Sequence, residues 1–335
     1  MSSLLTKSSN TARQKLPLLL LVVVGGFFSL AFSLAPLVDH AAGARLDRSF
    51  GVEGVATLIP RAQIEFDDPT GALSVGRGGR ILVLGNATDT KGSEDPEDQF
   101  VVGALTRIGA VDKSFGDEGF IYSSLLTHTG PKRQPFGYGE DLVQTRSRNF
   151  YVTGPMVKPG SRFLNGLRVI DCGVVARFKR SGVLDKNFGD SGRFKRCVHR
   201  DRSDRIAGLD SHSIDLGAQG EIFVGGTAMQ YGNFAFVAKL KPNGTLDKRF
   251  RGDKRTASGQ KGVVFILGHR FGNAYVNQVI SLSGGSVLAV GSLNGSFFVA
   301  KIRSDGTLDL ELPRSFGQFD RVSLNLSVRV GRGPG

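Results

Sequence analysis

The sequence predicts an all-β protein: a β-propeller-like repeat domain of four blades, each of three to four antiparallel strands, preceded by one N-terminal hydrophobic helix. Three observations predict it. A short mark built on Leu-Asp and Phe-Gly recurs along the chain. Short apolar runs ending in glycine lie between the marks, and no stretch after residue 44 sustains a helical period. Composition excludes other classes. With 335 residues, 40% hydrophobic content and two cysteines, the chain is neither a disordered polymer nor a disulfide scaffold.

Residues 1–44 read as a signal peptide or an N-terminal signal anchor. Lys7, Arg13 and Lys15 precede an uncharged stretch from Leu16 to Val38 whose centre is the run Leu18 to Val24, and Ala42-Gly43-Ala44 offers a cleavage site. The apolar stretch is also long enough to span a bilayer, which would leave the protein held to the membrane by this segment with its N-terminus inside. Either outcome places residues 45–335 outside the cytoplasm, secreted or anchored. Removing three basic residues and Asp39 leaves 40 basic against 29 acidic side chains, a net of +11. In an oxidising compartment Cys172 and Cys197 either pair or stay as two buried thiols.

The marks come next. They are Asp47 with Phe50, Asp112 with Phe115, Asp185 with Phe188, Asp247 with Phe250, and Asp309 with a displaced Phe316. Their aspartates are 65, 73, 62 and 62 residues apart. Each Asp is expected to accept hydrogen bonds from turn amides just beyond it. Each Phe is expected to bury between blades, and the glycines that follow to take positive φ or allow close approach. Cation binding by these aspartates is disfavoured, because one carboxylate per repeat lacks the spacing of a calcium loop.

Between marks, Ile81 to Gly85, Phe150 to Gly154, Ile222 to Gly226 and Val287 to Gly291 read as strands buried on both faces. Val175 to Lys179, Val237 to Lys241 and Val299 to Arg303 alternate and read as half-buried outer strands with basic residues facing solvent. Ser181-Gly182, Asn243-Gly244 and Asp305-Gly306 then turn the chain into the next mark. The units run over about 45–110, 111–183, 184–245 and 246–317. A closing strand over 322–328 and a disordered tail over 329–335 complete the propeller domain of residues 45–328 and its end.

This pattern of Leu-Asp-x-x-Phe-Gly-x-x-Gly followed by an apolar strand resembles the delta-60 repeat family. The resemblance covers about residues 45–317 and is sharpest in the first three marks. The fourth has Arg251 where glycine is expected, and the fifth is interrupted between Leu310 and Ser315. It implies an exported bacterial protein with a propeller-like domain, and it implies no general activity.

No linear motif carries chemistry. There is no Gly-x-Ser-x-Gly, His-Glu-x-x-His, Cys-x-x-Cys or phosphate loop. His128, His199, His212 and His269 lie far apart and read as surface or turn residues; the acidic stretch Asp89 to Asp98 reads as a solvated loop. No cofactor, metal ligand set or catalytic residue is assigned. The expectation is an envelope protein that binds an unknown protein or glycan ligand and does not bind nucleic acid. Two alternatives stand beside it: a hydrolase or lyase acting on glycans or esters, and a basic binder of an acidic envelope polymer.

Overall fold

The computed structural model describes residues 22–24, 45–60, 64–68, 72–89, 97–123, 125, 137–156, 163–164, 167–168, 172–197, 208–230, 232–252, 261–266 and 273–309. β-Branched and aromatic runs between glycine turns make its strands. β1 (Val22–Val24) and β2 (Ala56–Leu58) pair in parallel. The first antiparallel sheet is built of β3 (Ile64–Asp68), β4 (Leu73–Val75), β5 (Ile81–Asp89), β6 (Glu97–Leu105) and β7 (Phe120–Ser123). Its order is β3-β5-β6-β7, with β4 also on β5. The second sheet orders β8 (Asp141–Gln144), β9 (Phe150–Met156), and, past a small ladder of β10 (Phe163–Leu164) and β11 (Leu167–Arg168), β12 (Cys172–Phe178) and β13 (Arg193–Cys197).

The third sheet runs β14 (Gly208–Leu216), β15 (Ile222–Gln230), β16 (Gly232–Leu240) and β17 (Val263–Phe265). The fourth has β18 (Ala274–Ser281), β19 (Val287–Leu293) and β20 (Ser296–Ile302). All pairings in these four sheets are antiparallel. The protein is thus all-β, and its repeated antiparallel sheets of three to five strands are propeller-like.

Four features depart from the sequence reading. Among the described residues no N-terminal hydrophobic helix appears. The described part of that segment, Val22–Val24, is a strand, as three consecutive β-branched residues with a partner strand favour. Two of the three alternating strands are not sheet edges: β12 and β16 each have a neighbour on both sides, whereas β20 ends the fourth sheet as described. Their basic residues are turned to other use, and Lys239 is buried. Asp89, Glu97 and Asp98 belong to β5 and β6 rather than to a loop. The first strand of each sheet went unread in the sequence.

The sheets are out of step with the sequence repeat. The strand that follows the second, third and fourth marks completes the sheet of the preceding unit: β7 pairs with β6, β13 with β12 and β17 with β16. The mark itself holds the joint to the following sheet. Oδ1 of Asp47, Asp112, Asp185 and Asp247 accepts the amide of the residue two on. The amide after the mark Phe then reaches the next hairpin turn: Gly51 donates to Ile108 O, Gly116 to Ser181 O, Gly189 to Asn243 O and Arg251 to Asp305 O. Gly51, Gly116 and Gly189 stand at φ 59°, 56° and 55°. In the fourth mark Arg251 fills that place. Gly262 recovers the frame eleven residues later, donating to Phe250 O as Gly192 does to Phe188 O.

Phe50, Phe115, Phe188 and Phe250 are buried at these joints. Phe115 packs 5.8 Å from Phe150 of the next sheet, and Phe250 6.4 Å from Phe223. Phe188 packs 5.4 Å from Tyr151 and joins a core with Ile222 and Leu240 of the third sheet. Phe316, the closing segment 322–328, the tail 329–335 and residues 1–44 apart from Val22–Val24 lie outside the described residues. Among the described residues no helix is long and apolar enough to cross a membrane.

Candidate functional site

The first strands of consecutive sheets are where the sheets converge. Gln144 in β8 takes Ser74 Oγ of β4 as acceptor for its amide, and Asp141 Oδ2 accepts from Ile214 N and Ser213 Oγ of β14. Ser281 N of β18 donates to Asp215 Oδ2, and Val279 N to Ser213 Oγ. This inner edge is polar while the faces behind it are apolar.

Each inner strand carries a bulge at one place. β14 shifts register between Ser211 and Ser213, and β18 between Val276 and Gln278. In the second sheet the bridge Gly137 to Met156 and the pair Asp141 to Thr153 leave one extra residue on the inner side. Glu140 and Asp141 there both oppose Thr153. The extra residue is Glu140, His212 and Asn277 in successive sheets. The glycine ending each apolar central run belongs to the same feature. A Cβ on Gly154, Gly226 or Gly291 would overlap the carbonyl oxygen of Tyr138, Asp210 or Tyr275, two residues before the bulge.

Two of these bulges bring chemistry together. One atom each from Glu140, Asp210 and His212 lie within 4.8 Å of one another. His212 Nε2 is 3.7 Å from Asp210 Oδ2 and 3.2 Å from Thr227 Oγ1. Asp210 Oδ1 is buried and has no hydrogen-bond partner. Burial pushes the Asp210 carboxyl up to about 7. Burial also lowers the His212 imidazole, with Glu140 pulling the other way. The carboxyl is thus raised beside an imidazole that burial lowers.

Neighbouring sheets brace the cluster. Asn86 of the first sheet both donates to Gly139 O and accepts Gly139 N, fixing the residue before Glu140. Ser211, the residue before His212, donates to Gly154 O in the second sheet. Asp141 binds Ser213 and Ile214, just after His212; burial raises its carboxyl, against the pull of these bonds.

The sequence reading placed His212 on a surface or turn and singled out neither Glu140 nor Asp210. Asp47, Asp112, Asp185, Asp247 and the phenylalanines Phe50, Phe115, Phe188 and Phe250 that it did choose stand at the joints. Arg177 binds Asp185 and lies over the Phe188 ring at 5.6 Å; Lys301 and Arg303 bind Asp309. Cys172 and Cys197 are joined as a disulfide across β12 and β13.

Comparison with known proteins gives little beyond the fold. A family model described as "Domain of unknown function (DUF5122) beta-propeller" matches residues 219–250, which hold all of β15 and β16 and the fourth mark. It supports a β-propeller-like repeat family. No curated protein matches the chain. Among solved structures the chain is similar to an α-L-arabinofuranosidase from Podospora anserina in complex with cellotriose, at 9% identity and a TM-score of 0.34. That likeness covers 71% of this chain and 65% of the other, so the chain spans about two thirds of that protein's length.

Proposed function

We propose that the protein is an exported, propeller-like binding protein of the cell envelope, a member of the delta-60 repeat family, that takes a protein or glycan ligand at the inner edge of its second and third sheets. The observation that carries this reading is the braced cluster of Glu140, Asp210 and His212. Half-exposed Glu140 and His212 present polar groups to a ligand, while the hydrogen bonds behind them hold the bulges in place. The basic flank and apolar run of residues 1–44 support export. An uncleaved segment would anchor the protein to the membrane.

A glycan hydrolase is the second reading. It is favoured by one point: the buried Asp210 carboxyl stands beside the more exposed carboxyl of Glu140, and a pair of carboxyl groups in unlike environments is what glycoside cleavage uses. One experiment separates the two. The full chain is mixed with insoluble cell-wall polysaccharide, and both the retained protein and the released reducing ends are measured. Retention without release, weakened about 10-fold or more in a Glu140→Ala/His212→Ala double variant, is expected for binding at this cluster. Release that vanishes in Glu140→Gln would establish the hydrolase. Undiminished retention of the double variant would refute this site.

A further inference from the structure

We infer that Glu140, Asp210 and His212 hold a divalent cation of the zinc or manganese class between the second and third sheets. This rests on the reading of the cluster as the ligand site. It goes further by naming what the side chains bind first.

Geometry is the first argument. Three donor atoms from two sheets fall within 4.8 Å of one another. A cation with bonds of about 2.0–2.2 Å draws its donors roughly 3–3.5 Å apart, so small side-chain rotations close the set. The backbone need not move, because both bulges are tied across the sheets by Asn86, Asp141 and Ser211.

The second argument is independent of the first. Asp141 and Asp215, the other carboxylates of this inner edge, spend their oxygens on amides: Asp141 on Leu142 and Ile214, Asp215 on Leu216 and Ser281. Asp210 does not. Its side chain is 9% exposed, and its Oδ1 is buried without a partner. A buried carboxylate oxygen left unsatisfied is costly unless something outside the protein completes it. A cation taken by the Asp210 carboxylate, whose Oδ2 lies 3.7 Å from His212 Nε2, offsets the cost of burying that group, and attracts the Glu140 carboxylate at the same time.

The donor set selects the ion. Imidazole disfavours calcium and magnesium, which prefer all-oxygen cages, and two carboxylates with one imidazole suit zinc or manganese. Thiolate chemistry is absent among the described residues, since Cys172 and Cys197 are bonded to each other. Three protein donors leave at least one coordination position open. Glu140 and His212 are only half-buried, so that position faces the accessible side and can take an oxygen of the ligand.

The test uses the full chain, stripped with a chelator and dialysed against Zn²⁺, Mn²⁺, Ca²⁺ or Mg²⁺ alone, with bound metal measured by mass spectrometry and titration calorimetry. One equivalent of Zn²⁺ or Mn²⁺ is expected. Asp210→Asn and His212→Ala should each weaken it by about 30-fold or more, with the circular dichroism of the fold retained. Glu140→Gln, at a half-exposed position, gives the same readout should either of those variants misfold. No bound metal, preference for Ca²⁺, or wild-type affinity in the folded variants would overturn the site. Polysaccharide retention is scored separately. A chain that binds polysaccharide but no metal overturns the cation alone, whereas one that binds metal but no polysaccharide keeps the cation and removes the binding reading.

Discussion

Asp185 shows how one repeated residue is held. Burial alone would raise its carboxyl. The hydrogen bond from Arg177, the Asn187 amide and the charges of Arg177 and Lys179 outweigh that and hold it below its ordinary 3.8. A depressed folded value means the stabilisation is fully present above 3.8 and is lost as pH falls through the folded value. The wild-type urea midpoint should therefore fall steeply below about pH 4, and Asp185→Asn should flatten that acid limb. At neutral pH the same substitution should cost about 1.5–3 kcal/mol, because it leaves Arg177 without its charged partner. Equal acid limbs in the two proteins would show that the Arg177 contact does not stabilise the joint.

At the scale of the strand, legibility in the sequence depended on pattern strength. β9, β15 and β19 were readable because five consecutive apolar or small residues end in a glycine. The marks were readable because Asp, Phe and Gly keep fixed offsets, and the joints they make follow from those offsets. The inner strands were not readable. A bulge inserts one residue and flips the period of two, so the stretch through Asp210, His212 and Asp215 looks like a polar loop. The signal that would have found Glu140 and His212 is the column lying before Asp141-Leu142, Ser213-Ile214 and Gln278-Val279 when the units are aligned on their central glycines. That those side chains meet is a fact of sheet convergence, which no single unit contains. The disulfide belongs to this scale too. It fastens β13, whose residues are mostly only half-buried, to the core strand β12. A Cys172→Ser/Cys197→Ser variant should lose roughly 3 kcal/mol and exchange the β13 amides faster. Ready labelling of both thiols in the native, unreduced protein would contradict the bond.

For the whole molecule, what matters is that each of the first three sheets draws its strands from two units. β17 completes the third sheet but follows the fourth mark, and Phe250 of that mark fills the core shared with the fourth sheet. Ending the chain after Thr245 should therefore expose the edge of β16 together with Phe223 and Val237, which are buried in the intact protein. The truncated protein is expected to bind an apolar dye and to self-associate on size exclusion; a monodisperse, dye-silent fragment would show that the sheets stand alone. The half-step between unit and sheet bears also on how such chains lengthen. A duplicated stretch copied from one mark to the next brings its own joint at both ends, so an added copy is absorbed without a seam.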